Sequence, residues 1–128
     1  MSYNVARQVS PQVAILSFSS AGAGNVDFAS VNGQFSTTGI GTSTLQLEAG
    51  YEYFLISSPV TASATGATFY HIVNGVNRTS YSIVSTSVTS GLDQQIESIQ
   101  SDSTTTFSLH CSQATSSNSR LEVWRMPL

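Results

Sequence analysis

Alternation of apolar and polar positions with a period of two dominates this chain and predicts short β-strands almost throughout. The alternating runs are Val13–Ser19, Val26–Val31, Gln34–Thr38, Thr44–Glu48, Tyr51–Ser57, Ala67–Val73, Thr79–Thr86, Gln94–Gln100, Thr104–Cys111 and Arg120–Met126. β-Branched and aromatic residues are concentrated in them, as a half-buried pleated surface requires. Turn chemistry falls between the runs. Asn32-Gly33 and Asn74-Gly75 are the strongest hairpin signals, because a tight type I′ turn needs positive φ at both central residues. Ala49-Gly50 and Ser90-Gly91 read as further turns, and Ala21–Asn25 and Ser116–Ser119 as exposed loops. The stretch Gly91–Ser101 spaces Leu92, Ile96 and Ile99 like a helical face but also alternates. Its Ser and Gln content and its strand neighbours favour a strand.

Eight to ten short strands at spacings of about ten residues predict an all-β sandwich, barrel or jelly roll with little or no helix. At 128 residues the chain fits one domain, assigned to residues 12–128, with residues 1–11 preceding it as an arm.

Two strands are apolar on both faces. Tyr51 and Tyr53 share one side of their run while Phe54 and Ile56 share the other; Leu121 and Val123 oppose Trp124 and Met126 in the same way. A small sandwich has one inner face per sheet, so the second apolar face needs a cover. A neighbouring subunit is favoured over loops or the arm. Tyr51, Tyr53, Trp124 and Met126 are the expected interface residues.

Composition narrows the function. Ser and Thr make up about three residues in ten, charged residues are 9%, and all four cations are arginines: Arg7, Arg78, Arg120 and Arg125. With a net charge of −3 and no basic cluster, nucleic-acid and membrane-surface binding are not expected. No apolar run approaches the ~20 residues of a bilayer span, and the start carries no apolar leader, so synthesis in a cytoplasm is expected.

Candidate chemistry is sparse. Cys111 is the one cysteine and reads as a small buried hydrophobe in a strand. His71 and His110 lack a converging third ligand and read as strand histidines paired with a hydroxyl or backbone group. Gly22-Ala23-Gly24 and Gly39-Ile40-Gly41 complete no phosphate-binding pattern and read as turns or bulges. No Gly-x-Ser-x-Gly elbow singles out a serine for a triad with Asp27, Asp93 or Asp102, and nothing marks a catalytic pair among Glu48, Glu52, Glu97 and Glu122. Asn77-Arg78-Thr79 is a chance sequon match in a Thr-rich chain. No catalytic residue, metal or cofactor is expected.

The segment Leu45-Gln46-Leu47-Glu48-Ala49-Gly50-Tyr51-Glu52-Tyr53-Phe54-Leu55 resembles the glycine-aromatic strand of tumour-necrosis-factor-like jelly rolls, including complement-type globular heads. Phe69–Gly75 is similar to that family's strand ending in an Asn-Gly turn, Ser90–Asp93 sits where a Gly-Asp turn often precedes the last strand pair, and Leu121–Met126 resembles its closing strand. The phenylalanine of the first motif lies one position out of register, and Leu92 splits the Gly-Asp pair. The resemblance implies an antiparallel two-sheet jelly roll that packs as a homotrimer. Bacteriophages use such domains as capsid decoration (cement) proteins and as fibre heads. The hydroxyl-rich, lysine-free composition and short arm are similar to a decoration protein, which implies a virion location and the major capsid protein as partner. Tyr3, Val5 and Arg7 are then the expected shell contacts. The alternative is a receptor- or glycan-binding head of a capsid or tail fibre.

Overall fold

The computed structural model describes residues 10–61, 67–78, 83–85 and 94–128, the segment 83–85 through its backbone. The expected strands Val13–Ser19, Val26–Val31, Thr44–Glu48, Tyr51–Ser57, Ala67–Val73, Gln94–Gln100 and Thr104–Cys111 form as β1 (Gln12–Ser20), β3 (Asp27–Gly33), β4 (Leu45–Leu47), β5 (Tyr51–Ser58), β6 (Ala67–Val73), β9 (Gln95–Ser101) and β10 (Thr105–Cys111). Short strands β2 (Gly24–Asn25), β7 (Val76–Asn77) and β8 (Ile83–Ser85) join them, and β11 (Thr115–Pro127) closes the chain. The expected strand 79–86 is described only at β8, and the Ser90-Gly91 turn lies outside the described residues.

The strands form two antiparallel sheets. One runs β3-β1-β11-β5-β9; the other runs β2-β10-β6-β7, with β4 also on β10 and β8 on β6. The all-β, two-sheet expectation holds. Eleven strands appear among the described residues rather than eight to ten, because short pieces such as β2 and β7 cap the sheet edges. The stretch from Gln95 to Ser101 is a strand, with Gln95, Glu97, Ile99 and Ser101 buried and the residues between them exposed.

Alternation builds the core. Ala14, Leu16 and Phe18 of β1, Leu55 of β5, and Leu121 and Val123 of β11 point inward from the first sheet. Phe69 and Val73 of β6 and Phe107, Leu109 and Cys111 of β10 meet them from the second. Phe18 stacks on Phe69 with ring centroids 5.9 Å apart and meets Phe28 edge-on at 6.4 Å, geometries that favour aromatic pairs beyond simple burial. Cys111 is buried, as expected of a structural thiol.

Four local expectations are corrected. Asn32-Gly33 is not a hairpin turn but the end of β3, where Asn32 and Gly33 pair with Ile15 and Ala14. A Cβ on Gly33 would lie 2.9 Å from the Phe35 carbonyl oxygen, so close backbone approach rather than turn geometry explains this glycine. Gln34–Thr38 makes no strand; it crosses the end of the sandwich, tied by the Gln34 amide to the Val13 carbonyl at 2.9 Å and by an isolated bridge from Thr38 to Gln46. Ser116–Ser119 is not a loop: β11 begins at Thr115, because β1 is long enough to pair with it from Gln12 to Ser20. The expected Ala21–Asn25 loop also ends early, with Gly24 and Asn25 pairing to Cys111 and His110. By contrast Asn74-Gly75 is the tight turn its sequence predicts, with φ of 51° and 76°.

Candidate functional site

The register of the first sheet writes its outer face as rows of cross-strand neighbours. Val13 pairs with Trp124 and Trp124 with Phe54; Ile15 pairs with Glu122, Glu122 with Ile56, and Ile56 with Ile96. Directly opposed residues share a face, so these rows lay apolar side chains across four strands. Phe54, Ile96 and Met126 are 47%, 58% and 41% exposed. Together with Pro11, Ile56 and Trp124 they line an apolar groove of about 390 Å³. The Trp124 indole N–H donates to Glu122 Oε2 at 3.3 Å, which leaves the ring's apolar surface on the groove. A patch of this kind on a polar, charge-poor protein marks an interaction surface.

The structure brings half of the expected interface residues to this face. Trp124 and Met126 lie on it. Tyr51 and Tyr53 do not, because the β5 pleat sends them to the opposite side, where Tyr53 is 1% exposed and Tyr51 packs against the core. The Tyr53 hydroxyl donates to the Glu48 carbonyl at 2.9 Å, and burial pushes its pKa up against the opposing effect of Arg125. Arg125 pairs with Tyr53 in the ladder and places its guanidinium between the rings of Phe35 and Tyr51, 4.0 and 4.1 Å from their centroids. Its Nε donates to Gln12 Oε1 at 2.9 Å. These tyrosines therefore build the closed end of the sandwich. Phe54, Ile56 and Ile96 take their places on the outer face, and the alternation of β5 and β9 carried the signal for them. Tyr3, Val5 and Arg7 lie outside the described residues.

A second cluster sits between the sheets. Ser57 of β5 and His71 of β6 have no exposed surface, and Gln95 and Glu97 of β9 are each 6% exposed. Ser57 Oγ and His71 Nε2 are 2.6 Å apart, and His71 Nδ1 is 3.4 Å from Glu97 Oε1. Burial pushes His71 down to about 4, so the ring is neutral at physiological pH. Burial also raises the Glu97 pKa, opposed by Arg78, whose Nε lies 4.0 Å from Glu97 Oε1. The pairing of His71 with a hydroxyl follows the sequence expectation. The serine and the carboxylate were not singled out there, since the convergence depends on sheet packing. Neither Ser57 nor His71 opens onto solvent, so the pair forms a buried polar link between the sheets. His110 stacks on Tyr70 at 4.7 Å on the far side of the second sheet. Among the described residues, no three His, Cys, Asp or Glu side chains converge as metal ligands.

Comparison with known proteins returned no matching family model and no matching curated protein. Among solved structures, the crystal structure of murine APRIL aligns over 93% of this chain and 100% of its own with a TM-score of 0.60 and 14% sequence identity. The fold is a TNF-like jelly roll. In this TNF-like frame the expected all-β, two-sheet class stands, and the apolar outer face belongs to the sheet that contains both the first long strand and the last.

Proposed function

We infer that this chain is a non-enzymatic structural protein that assembles as a homotrimer and decorates a bacteriophage capsid shell. The observation that carries the trimer is the apolar outer face of Phe54, Ile56, Ile96, Trp124 and Met126, on a TNF-like fold. Glu52, Glu122 and Arg125 border the apolar residues, and Glu122 is held by the Trp124 indole N–H, as a polar rim around an apolar centre would be. The shell-binding step rests on the hydroxyl-rich, lysine-free composition and the expected arm. Three weak contacts held by one rigid body raise the effective concentration at the shell, so modest single contacts suffice.

Native mass spectrometry and sedimentation at micromolar concentration test the assembly, with a trimer expected and a monomer sinking it. Particle-binding assays test the location. Deleting residues 1–11 should lower occupancy on shells of the major capsid protein while leaving the domain folded; unchanged occupancy removes the arm's role. A second reading, a glycan- or receptor-binding fibre head, draws on the Tyr70–His110 stack beside the hydroxyls of Thr68 and Ser112. A glycan array separates it from the first, since decoration of a shell needs no sugar.

A further inference from the structure

Ser57, His71, Gln95 and Glu97 lie buried between the sheets, and the assembly proposed above uses none of them. Ser57 and Gln95 stand directly opposite each other in the β5–β9 ladder, in an inner row that continues through Leu121 to Leu16. His71 reaches them from the other sheet. With Glu97 accepting from Nδ1–H at 3.4 Å, Nε2 is the basic nitrogen, and it faces the Ser57 hydroxyl at 2.6 Å. A neutral imidazole held this way can take a proton from serine, the arrangement that activates a hydroxyl nucleophile; burial makes this ring a weaker base than a free one, so the transfer rests on the 2.6 Å contact and on the Glu97 carboxylate behind the ring.

The acyl group that shares the row is the Gln95 carboxamide. Its Nε2 donates to the Phe69 carbonyl at 3.3 Å, which draws the amide across toward β6, the strand that also carries His71. Its Oε1 is buried and has no hydrogen-bond partner. Arg78 Nε is a buried donor equally without one, and it stands beside the same cluster through Glu97. Opposed residues on one face have Cβ atoms about 4.5–5.5 Å apart. The link Cβ–Oγ–Cδ–Cγ–Cβ has four bonds and spans about 5 Å, which matches that separation, and the Ser57 hydroxyl already lies 3.4 Å from the Gln95 backbone carbonyl.

We propose that Ser57 and Gln95 join in a self-catalysed intramolecular ester. Ser57 Oγ attacks Gln95 Cδ as His71 Nε2 accepts the hydroxyl proton. The carboxamide C–N bond then breaks, and its nitrogen takes that proton and leaves as ammonia. One C–O bond replaces one C–N bond, His71 returns to neutrality, and no oxidant, reductant or co-reactant is needed. Proximity supplies the reactivity that a simple amide lacks, and burial excludes the water that would compete as nucleophile. Arg78 is the cation nearest the cluster, 4.0 Å from Glu97 Oε1. The product ties edge strand β9 covalently to β5.

The lysine-free sequence makes the test direct. Trypsin can cleave only after Arg7, Arg78, Arg120 and Arg125, which puts Ser57 in peptide 8–78 and Gln95 in peptide 79–120. The folded protein is expected to weigh about 17 Da less than its sequence, the mass of ammonia. Its digest should contain the two peptides joined, with fragment ions placing the link at Ser57 and Gln95, and alkaline hydroxylamine should separate them. Ser57→Ala should have its full sequence mass and separate peptides, and His71→Gln, refolded from denaturant, should join at least tenfold more slowly than the parent chain. Full sequence mass with separate peptides in the folded parent chain overturns the proposal. So does a loss of ammonia that maps to any other residue. Neither result bears on the trimer, which is read from the native mass.

Discussion

Phe54 and Trp124 stand opposite each other across the β5–β11 ladder, both directed away from the core. Their neighbours in the ladder, Leu55 with Val123, are fully buried in the sandwich. One pair of strands therefore finishes the core on one side and presents an apolar groove on the other. Charge placed on the groove side is expected to block assembly without unfolding the domain. Phe54→Asp and Ile96→Asp should each weaken self-association by at least about tenfold, or about 1.4 kcal/mol. Light scattering across a dilution series reads this, with thermal unfolding as the control. Unchanged assembly in both variants would move the interface elsewhere.

Tyr53 supplies the contrasting case. Its hydroxyl is bonded to the Glu48 carbonyl inside the sandwich, so Tyr53→Phe should cost about 1 kcal/mol of stability and leave the oligomeric state untouched. Trp124→Ala should do the reverse and affect association first. Denaturant titration paired with native mass measurement separates the two.

These two residues also show what alternation made legible and what it left hidden. The period of two told that Tyr53 and Phe54 point to opposite faces, and that Val123 and Trp124 do too. It carried no sign, so which face met the other sheet remained open, and the tyrosines were grouped with Trp124 and Met126. The sign comes from register: Tyr53 pairs with Arg125, not with Trp124. Asn74-Gly75 was readable because its φ angles are a local property, whereas Asn32-Gly33 carries the same letters and is set by its pairing with Ile15 and Ala14 of β1. Ser57, His71 and Glu97 come from three strands and two sheets. Nothing in their spacing announces that they meet.

Gly39 is a position where backbone geometry allows no substitute. Its φ is +104°, and an added Cβ would overlap the Thr44 carbonyl. The Thr42 hydroxyl donates to the Gly39 carbonyl at 2.6 Å, so this turn holds the approach to β4. Gly39→Ala is expected to destabilise the fold by about 1–3 kcal/mol through strain and overlap. The melting temperature reads it. Gly41→Ala, with φ of +85° and open space around its Cβ position, should cost less.

Arg125 joins the end of β11 to the crossing segment through Phe35 and to the start of β5 through Tyr51. Lysine keeps the charge but loses the planar stacking surface and the Nε bond to Gln12. Arg125→Lys should therefore destabilise by about 1–2 kcal/mol despite conserving charge. Equal stability of the two proteins, measured at low and at high salt, would show that the stack contributes nothing.

His71 gives the fold an acid-sensitive core. Burial lowers its pKa from 6.5 to about 4, so between those values the unfolded chain holds a proton that the folded chain does not. Stability from this residue is complete above pH 6.5, declines as pH falls, and is fully lost below about pH 4. The loss amounts to about 3 kcal/mol at 1.36 kcal/mol per pKa unit. Glu97 acts with the opposite sign: its raised pKa favours the folded state below the ordinary value of 4.5 and less so as pH rises through the raised one. Arg78 beside it opposes that shift without cancelling it, so Glu97 offsets part of the His71 slope between pH 4.5 and its raised value, and His71 sets the slope above that. Unfolding free energies at pH 7.5, 5.5 and 4.5 should fall steadily in the parent chain. His71→Gln should show no such decline over the same range whatever its absolute stability, because the titrating ring is gone and Glu97 acts with the opposite sign. An equally steep decline in that variant would assign the acid sensitivity to other groups.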